Sequence, residues 1–385
     1  MKRIAGLLAF IALAMLSWGI YGPVLREGQI GMQGSSLRPF ICVGLAYFLI
    51  AVLIPGILLR ATREVGHWTT TGIFWSLAAG SAGALGALGI ILALAFRGSP
   101  LYVMPLVFGC APVVNTFLTM YWGKSYKQAN PIFIAGLILV IVGAVTVLVF
   151  RPHAHASAET VKISQEKNGG LSIDVSTADN PTPTHYEATS VEELASKHPE
   201  AFKLYDRHRN FTARELSLVI LFTAMTALCW GVYGPMLHRG QTAMAGSRLR
   251  PFICVGLAYF LIAVIVPSLL LTRWDEPGNF TFNGSLWSFI GGAAGALGAL
   301  GIIMAFNFGG KPIFVMPLVF GGAPVINTFV SVVQAGNYDQ LHLMFYAGLI
   351  VVVAGAVTVL VFAPKPAPHA APHSGPEPTP QPAEV

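Results

Sequence analysis

Charge is what this sequence has least of. Asp, Glu, Lys and Arg make up 10% of its 385 residues, against 54% hydrophobic, where an ordinary soluble domain carries about 25% charged residues. No Asp, Glu or Lys stands well inside any of the long apolar runs. A proton-coupled carrier usually relays through an intramembrane carboxylate or histidine, and no such group is visible. Also missing are a Walker loop, a Cys/His/carboxylate metal cluster and a Ser-His-Asp set placed to meet. These absences argue against an ATP-driven pump and against a membrane hydrolase; the expectation is a protein that is not an enzyme and holds no cofactor and no metal. The four cysteines, Cys42, Cys110, Cys229 and Cys254, all fall in apolar runs without metal spacing. They read as small buried residues rather than ligands or disulfides.

What is there is apolar and long. Mean hydropathy is +0.66, and many runs reach the roughly 20 residues that a helix needs to cross a bilayer. The net charge of +6 would raise nucleic-acid binding in a soluble protein. Here the Lys and Arg lie in short loops, where they set membrane orientation, so no nucleic-acid partner is expected. Met1-Lys2-Arg3 before an apolar run resembles a signal peptide. However, Trp18-Gly19-Ile20-Tyr21-Gly22-Pro23 recurs around Trp230-Gly231 in mid-chain, so the first run reads as a retained helix.

A shift of 212 residues aligns the two halves without a gap. Pro39 to Val52 equals Pro251 to Val264, and Val103 to Phe117 returns almost unchanged as Val315 to Phe329. Tandem duplication is therefore the first organising fact. Each copy reads as five spans: Ile4–Leu25, Pro39–Leu59, Thr71–Phe96, Ser99–Gly123 and Pro131–Phe150, then Leu216–Leu237, Pro251–Leu271, Asn283–Phe308, Lys311–Ala335 and His342–Phe362. The expected fold is an all-α integral membrane protein of ten transmembrane helices in two inverted five-helix repeats. Its parts are a first repeat over 1–150, a polar linker over 151–213, a second repeat over 214–363 and a Pro-rich tail over 364–385.

Five is odd, so tandem copies enter the membrane in opposite senses, and the loop charges agree. Arg60, Arg63, Lys124 and Lys127 in the first copy face Thr272, the acid-rich surroundings of Trp274–Glu276, Gly336 and Asp339 in the second, while Glu27, Ser36 and Ser99 become Arg239, Arg248 and Lys311. Positive charge leaves one set of loops and enters the other, as inverted copies under the positive-inside rule require. This places both termini in the cytoplasm and the linker outside, although Arg207, Arg209 and Arg214 flank the sixth span on that outer side. The linker reads as largely disordered, with capping-box spacing at Ser190-Val191-Glu192-Glu193 for one short helix. The tail reads as extended and polyproline-like.

Candidate site residues come from the motifs that occur twice. In the fourth span Met104, Phe108, Ala111 and Asn115 share a face beside Pro105 and Pro112, and the ninth repeats this with Asn327 beside Pro317 and Pro324. Proline frees the carbonyl four residues back, which lipid cannot hydrate, so these four prolines are expected to break the helices against a wet cavity and gate it. Asn115 and Asn327 serve either as interhelical hydrogen bonds or as substrate contacts. Trp18 and Tyr21, repeated as Trp230 and Tyr233, are either an interfacial belt or a pocket wall. Trp75 and Trp287 open their spans as belt residues. Gly80, Gly83, Gly86 and Gly89 on the third span let another backbone approach closely. Arg38 and Arg250 precede proline at the starts of the second and seventh spans; they snorkel to headgroups or, turned inward, contact an anion.

The order of these motifs resembles the drug/metabolite transporter superfamily in its EamA-type form. The likeness rests on Ser17-Trp18-Gly19, Leu37-Arg38-Pro39, Ala93-Leu94-Ala95-Phe96, Ala111-Pro112-Val113-Val114-Asn115-Thr116-Phe117 and Gly136 through Gly143, with Trp230-Gly231, Leu249-Arg250-Pro251, Ala323 through Phe329 and Gly348 through Gly355 in the second copy. It covers both membrane blocks but not the linker or tail. Where the family often has a Glu-Arg pair between spans four and five, this chain has Lys124-Ser125-Tyr126-Lys127 and Gly336-Asn337-Tyr338-Asp339. The first span also lacks the Glu on which the small multidrug branch relies. The resemblance implies that spans one to four of each copy line a central cavity, with spans five and ten outside it.

The expectation is a secondary transporter of the bacterial inner membrane, a facilitator or exchanger of a small polar metabolite such as an amino acid or sugar. Trp18, Tyr21, Asn115, Trp230, Tyr233 and Asn327 would contact the substrate. Two alternatives stay open: anionic metabolites held by Arg38 and Arg250, or a non-transporting scaffold acting through the linker. The partners expected are the small-molecule substrate and the lipid bilayer.

Overall fold

The computed structural model describes residues 2–61, 64–124, 127, 129–150, 159–165, 171–177, 183–189, 193–194, 197–198, 212–308, 312–335 and 341–362. The Pro-rich tail, most of the linker, Ser190–Glu192, Lys311, Gly336 and Asp339 lie outside that set, as do the side chains of Met316 and Pro317. Among the described residues, eight helices are long and apolar enough to cross a membrane. The chain is thus a multi-pass membrane protein whose embedded part is all helix.

The first half carries α1 (Lys2–Gly31), α2 (Leu37–Tyr47) continued through a wide turn over Phe48–Leu53 into α3 (Ile54–Ala61), α4 (Thr70–Ala95), α5 (Pro100–Gly123) and α6 (Pro131–Val149). The second carries α7 (Ala213–Ala243), α8 (Leu249–Tyr259) continued through a wide turn over Phe260–Ile265 into α9 (Val266–Leu271), α10 (Phe282–Asn307), α11 (Pro312–Ala335) and α12 (Leu343–Val361). The last two retain apolar stretches at Leu318–Gln334 and Leu343–Val359. Helix starts follow local chemistry: Thr69 accepts from Gly72 N–H, Asn130 from Phe133 N–H, and Thr212 with Glu215 forms a complete capping box.

The helices pack across the duplication rather than within each half. α1 lies on α10 and α11, and α7 lies on α4 and α5. The glycine-rich faces of α4 and α10 make these approaches close. A Cβ added to Gly80 would stand 2.7 Å from the Val255 backbone, and one added to Gly292 would stand 2.6 Å from that of Val43. Both distances are below contact, so α8 and α2 seat directly on glycine. α6 and α12 pack on each other and on α5, outside the aromatic interior.

Two expectations differ from what is seen. α5 runs through Pro105 and Pro112 as one helix, and α11 likewise runs through positions 317 and 324, so these prolines do not break their spans. The interrupted helices are instead the second and seventh. Pro55 and Pro267 follow the wide turns there, and Ile54 N–H reaches back to Leu49 O, as Val266 N–H does to Leu261 O. A proline cannot bond four residues back, and an inserted wide turn takes up the lost bond.

The linker also holds more order than a solvated tether. Strands β1 (Glu159–Gln165), β2 (Leu171–Thr177) and β3 (Thr184–Ala188) form an antiparallel sheet in that order, with Ile163 opposite Ile173 and Asp174 opposite His185. The alternation Leu171-Ser172-Ile173-Asp174-Val175 has the period of a strand, and Ile173 is fully buried. Nearby, Glu193 accepts from Thr189 N–H at 2.8 Å and pairs with Lys197 at 2.5 Å.

Candidate functional site

At the centre, α1, α5, α7 and α11 bring aromatic side chains to one place. Trp18 stands 6.2 Å from Phe108 and 6.1 Å from Phe320, and Phe108 stands 6.0 Å from Trp230 and 6.1 Å from Phe320. Tyr21 meets Trp230 edge-on at 5.9 Å. Neither Trp18 nor Trp230 behaves as a belt residue. Each indole N–H donates across the duplication at 3.2 Å, Trp18 to Gly295 O and Trp230 to Gly83 O. Glycine makes the room: a Cβ at Gly298 would fall 2.1 Å from the Trp18 ring, and one at Gly86 would fall 2.2 Å from Trp230.

Tyr47 and Tyr259 belong to this interior and were not singled out in the sequence. Their rings stack at 3.7 Å with an interplanar angle of 3° just before the two wide turns, and Phe48 meets Phe260 at 4.6 Å beside them. The available signal was Tyr47 and Tyr259 repeating with Pro55 and Pro267 eight residues on.

The two asparagines occupy unlike places. Asn327 is fully buried, and its Nδ2 donates to Pro100 O at 2.7 Å. Asn115 is half-buried, and among the described residues its side chain makes no such bond to α11. The difference extends to a whole end of the bundle. Where α1 ends, Arg26 donates to Leu94 O at 2.8 Å and Gln29 to Ile91 O at 2.9 Å, while Arg97 pairs with Glu215 at 3.7 Å. At the matching end of α7 the equivalents are His238 and Gln241, exposed and half-buried, with no corresponding side-chain bond to α10 among the described residues. Tyr21 is 3% exposed whereas Tyr233 is half-buried. Among the described residues one end, the sealed end, is thus bridged by side chains, and the other, the parted end, is not. Tyr21 Oη, Asn327 Oδ1, Thr328 Oγ1 and Ser331 Oγ are buried without a hydrogen-bond partner among the described residues, the sort of polar atom that water or a ligand satisfies.

Arg38 and Arg250 do not line this interior as free cations. Arg38 pairs with Glu276 at 3.2 Å and Arg250 with Glu64 at 3.1 Å. Glu276 also accepts from Ser36 N–H, Leu37 N–H and the Ser35 hydroxyl, and Glu64 accepts from Arg248 N–H, Leu249 N–H and the Ser247 hydroxyl. A carboxylate from each copy thus caps the second helix of the other, where the helix N-terminus favours negative charge. The anion at each arginine is intramolecular.

Compared with protein-family models and with curated proteins, the chain matches none.

Proposed function

We propose that this protein is a secondary transporter of the EamA type, built from two inverted five-helix repeats. It exposes a central site to one face of the membrane at a time. The observation that carries the proposal is the sealed end against the parted end. Of residues equivalent by sequence, Asn327 and Gln29 are bonded at one end of the bundle, whereas Asn115 and Gln241 at the other end make no matching bond among the described residues. Two near-identical halves can exchange these roles, which would close the open end and open the closed one. The antiparallel seating of Trp230 and Gly240 on α4, and of Trp18 and Gly28 on α10, supports the inverted arrangement.

The substrate class follows from the lining. Aromatic faces with amide and hydroxyl groups, and no carboxylate or free cation among the described residues there, suit a small polar metabolite that is neutral or zwitterionic, such as an amino acid or sugar. The Arg38 and Arg250 ion pairs weigh against anionic metabolites. The loop charges favour cytoplasmic termini, which would turn the sealed end outward, and the membrane proposed is a bacterial plasma membrane. Uptake into proteoliposomes tests this. Asn115→Ala with Asn327→Ala, in protein that still folds, is expected to abolish flux of the transported solute; unchanged flux would remove the site. Deleting residues 155–205 is expected to leave flux intact, and loss of a bound partner instead would favour a scaffold.

A further inference from the structure

The positions at which the two copies differ most do not lie in the interior. At the parted end a cavity of about 510 Å³ is lined by Tyr121, Trp122, Lys124 and Lys127. α5 stops here because Lys124 takes the left-handed conformation, φ 51°, and Lys127 lines the same cavity three residues on. Trp122 also forms one side of a second arrangement. The Arg239 guanidinium sits 3.5 Å from the Trp122 ring and 4.9 Å from that of Trp75, held by cation–π attraction between helices α7, α5 and α4. Among the described residues, no Asp or Glu pairs with Lys124, Lys127 or Arg239. Trp122 thus joins a cavity lined by two lysines to a third cation at its ring, with no acid paired to any of the three among the described residues.

The other copy shows that this cluster is not inherited from the repeat. Tyr121, Trp122, Lys124, Lys127 and Arg239 correspond to Val333, Gln334, Gly336, Asp339 and Glu27. Two charges reverse, one vanishes and both aromatics are lost, while the helices around them stay nearly identical. Loop charge alone accounts for the lysines, since orientation needs positive residues on one side. It does not account for an indole and a phenol placed with them around a cavity.

We propose that this cavity binds the phosphate of an anionic phospholipid headgroup. Lys124 and Lys127 would take the phosphate oxygens, and Trp122 would form the floor, fixed in place by Arg239. Basic pockets between helices at a membrane surface recognise such headgroups by charge. The source is argued from position. Tyr121 is 65% exposed, and Phe117, one turn deeper on the same face of α5, is 44% exposed, so acyl chains can run down α5 below the headgroup. The proposal is independent of the transport reading and of which face is cytoplasmic.

Native mass spectrometry of the full chain tests it, with dioleoyl phosphatidylglycerol or dioleoyl phosphatidylcholine added to detergent micelles. In a parallel arm, thermal unfolding is followed with inorganic phosphate against chloride at equal ionic strength. Wild type is expected to retain phosphatidylglycerol in preference to phosphatidylcholine by roughly 10-fold, and K124Q/K127Q to lose that preference. R3Q/R60Q, which removes two charges at the same end, is expected to keep it. A shift with inorganic phosphate, lost only in K124Q/K127Q, would retain the phosphate site but assign it to a soluble ester. Equal loss in both double variants, or no selectivity in either arm, overturns the proposal. Both lysines are exposed, so failure to fold does not obscure the result.

Discussion

Glu64 and Glu276 are the residues on which the two halves depend for register. Each carboxylate accepts two backbone N–H groups and a serine hydroxyl while pairing an arginine of the other copy. Glu276→Gln keeps the shape but removes the charge, and it is expected to cost about 1–3 kcal/mol in thermal or denaturant unfolding. Arg38→Gln is expected to cost a similar amount, whereas a free anion-binding arginine would cost little. The sequence brought out Arg38 and Arg250 but not their partners. Glu64 and Glu276 are equivalent residues in loops, and nothing local says that each reaches the opposite copy. In the linker sheet His185 lies between Asp174 at 2.5 Å and Glu187 at 2.9 Å. Those carboxylates, Asp174 first, raise its pKa above the ordinary value of 6.5. A raised value favours the folded sheet while His185 is charged, so that contribution is complete below about pH 6.5 and fades as pH rises through the folded-state value. The protection factors of the β2 and β3 amides, corrected for the intrinsic pH dependence of exchange, are expected to fall over that rise, and His185→Gln is expected to remove that fall.

At the scale of elements, the glycine stripes and the wide turns decide the packing. Gly298→Ala would put a methyl 2.1 Å from the Trp18 ring, expelling the indole from Gly295 O. The expected cost is about 1–3 kcal/mol, together with a change in tryptophan emission. The asparagines separate the two ends. Asn327→Ala leaves Pro100 O without its donor inside a sealed wall and is expected to destabilise by about 1–2 kcal/mol, whereas Asn115→Ala, with no such bond to lose, is expected to stay within about 0.5 kcal/mol. Equal costs would contradict the asymmetry. The span pattern, the duplication and the close approach at Gly80 to Gly89 were legible because length, repetition and small residues act locally. The course of the proline-bearing helices was not. Pro105 and Pro112 stand in a continuous helix, while Pro55, less conspicuous in sequence, follows the real interruption. Whether a helix breaks or absorbs a proline depends on what packs against it. The strands of the linker were missed for a related reason: acids, bases and Pro-Thr repeats masked the alternation around Ile173.

For the whole molecule the central claim is that two like halves take unlike states, one end sealed by Arg26, Gln29 and Asn327 and the other parted at His238, Gln241 and Asn115. No single residue in the sequence announces this, because the two copies carry nearly the same letters; only their placement differs. The most direct measurement is thiol accessibility across a sealed membrane. In a chain with Cys42, Cys110, Cys229 and Cys254 replaced by alanine, single cysteines are placed at positions 29 and 241, and a membrane-impermeant maleimide is applied from each face in turn. The expected result is labelling of Gln241→Cys from the face that carries the termini and protection of Gln29→Cys from both faces, with the pattern reversing when a transported solute is supplied. Labelling of both positions from one face, or equal protection of both with and without solute, would contradict the account.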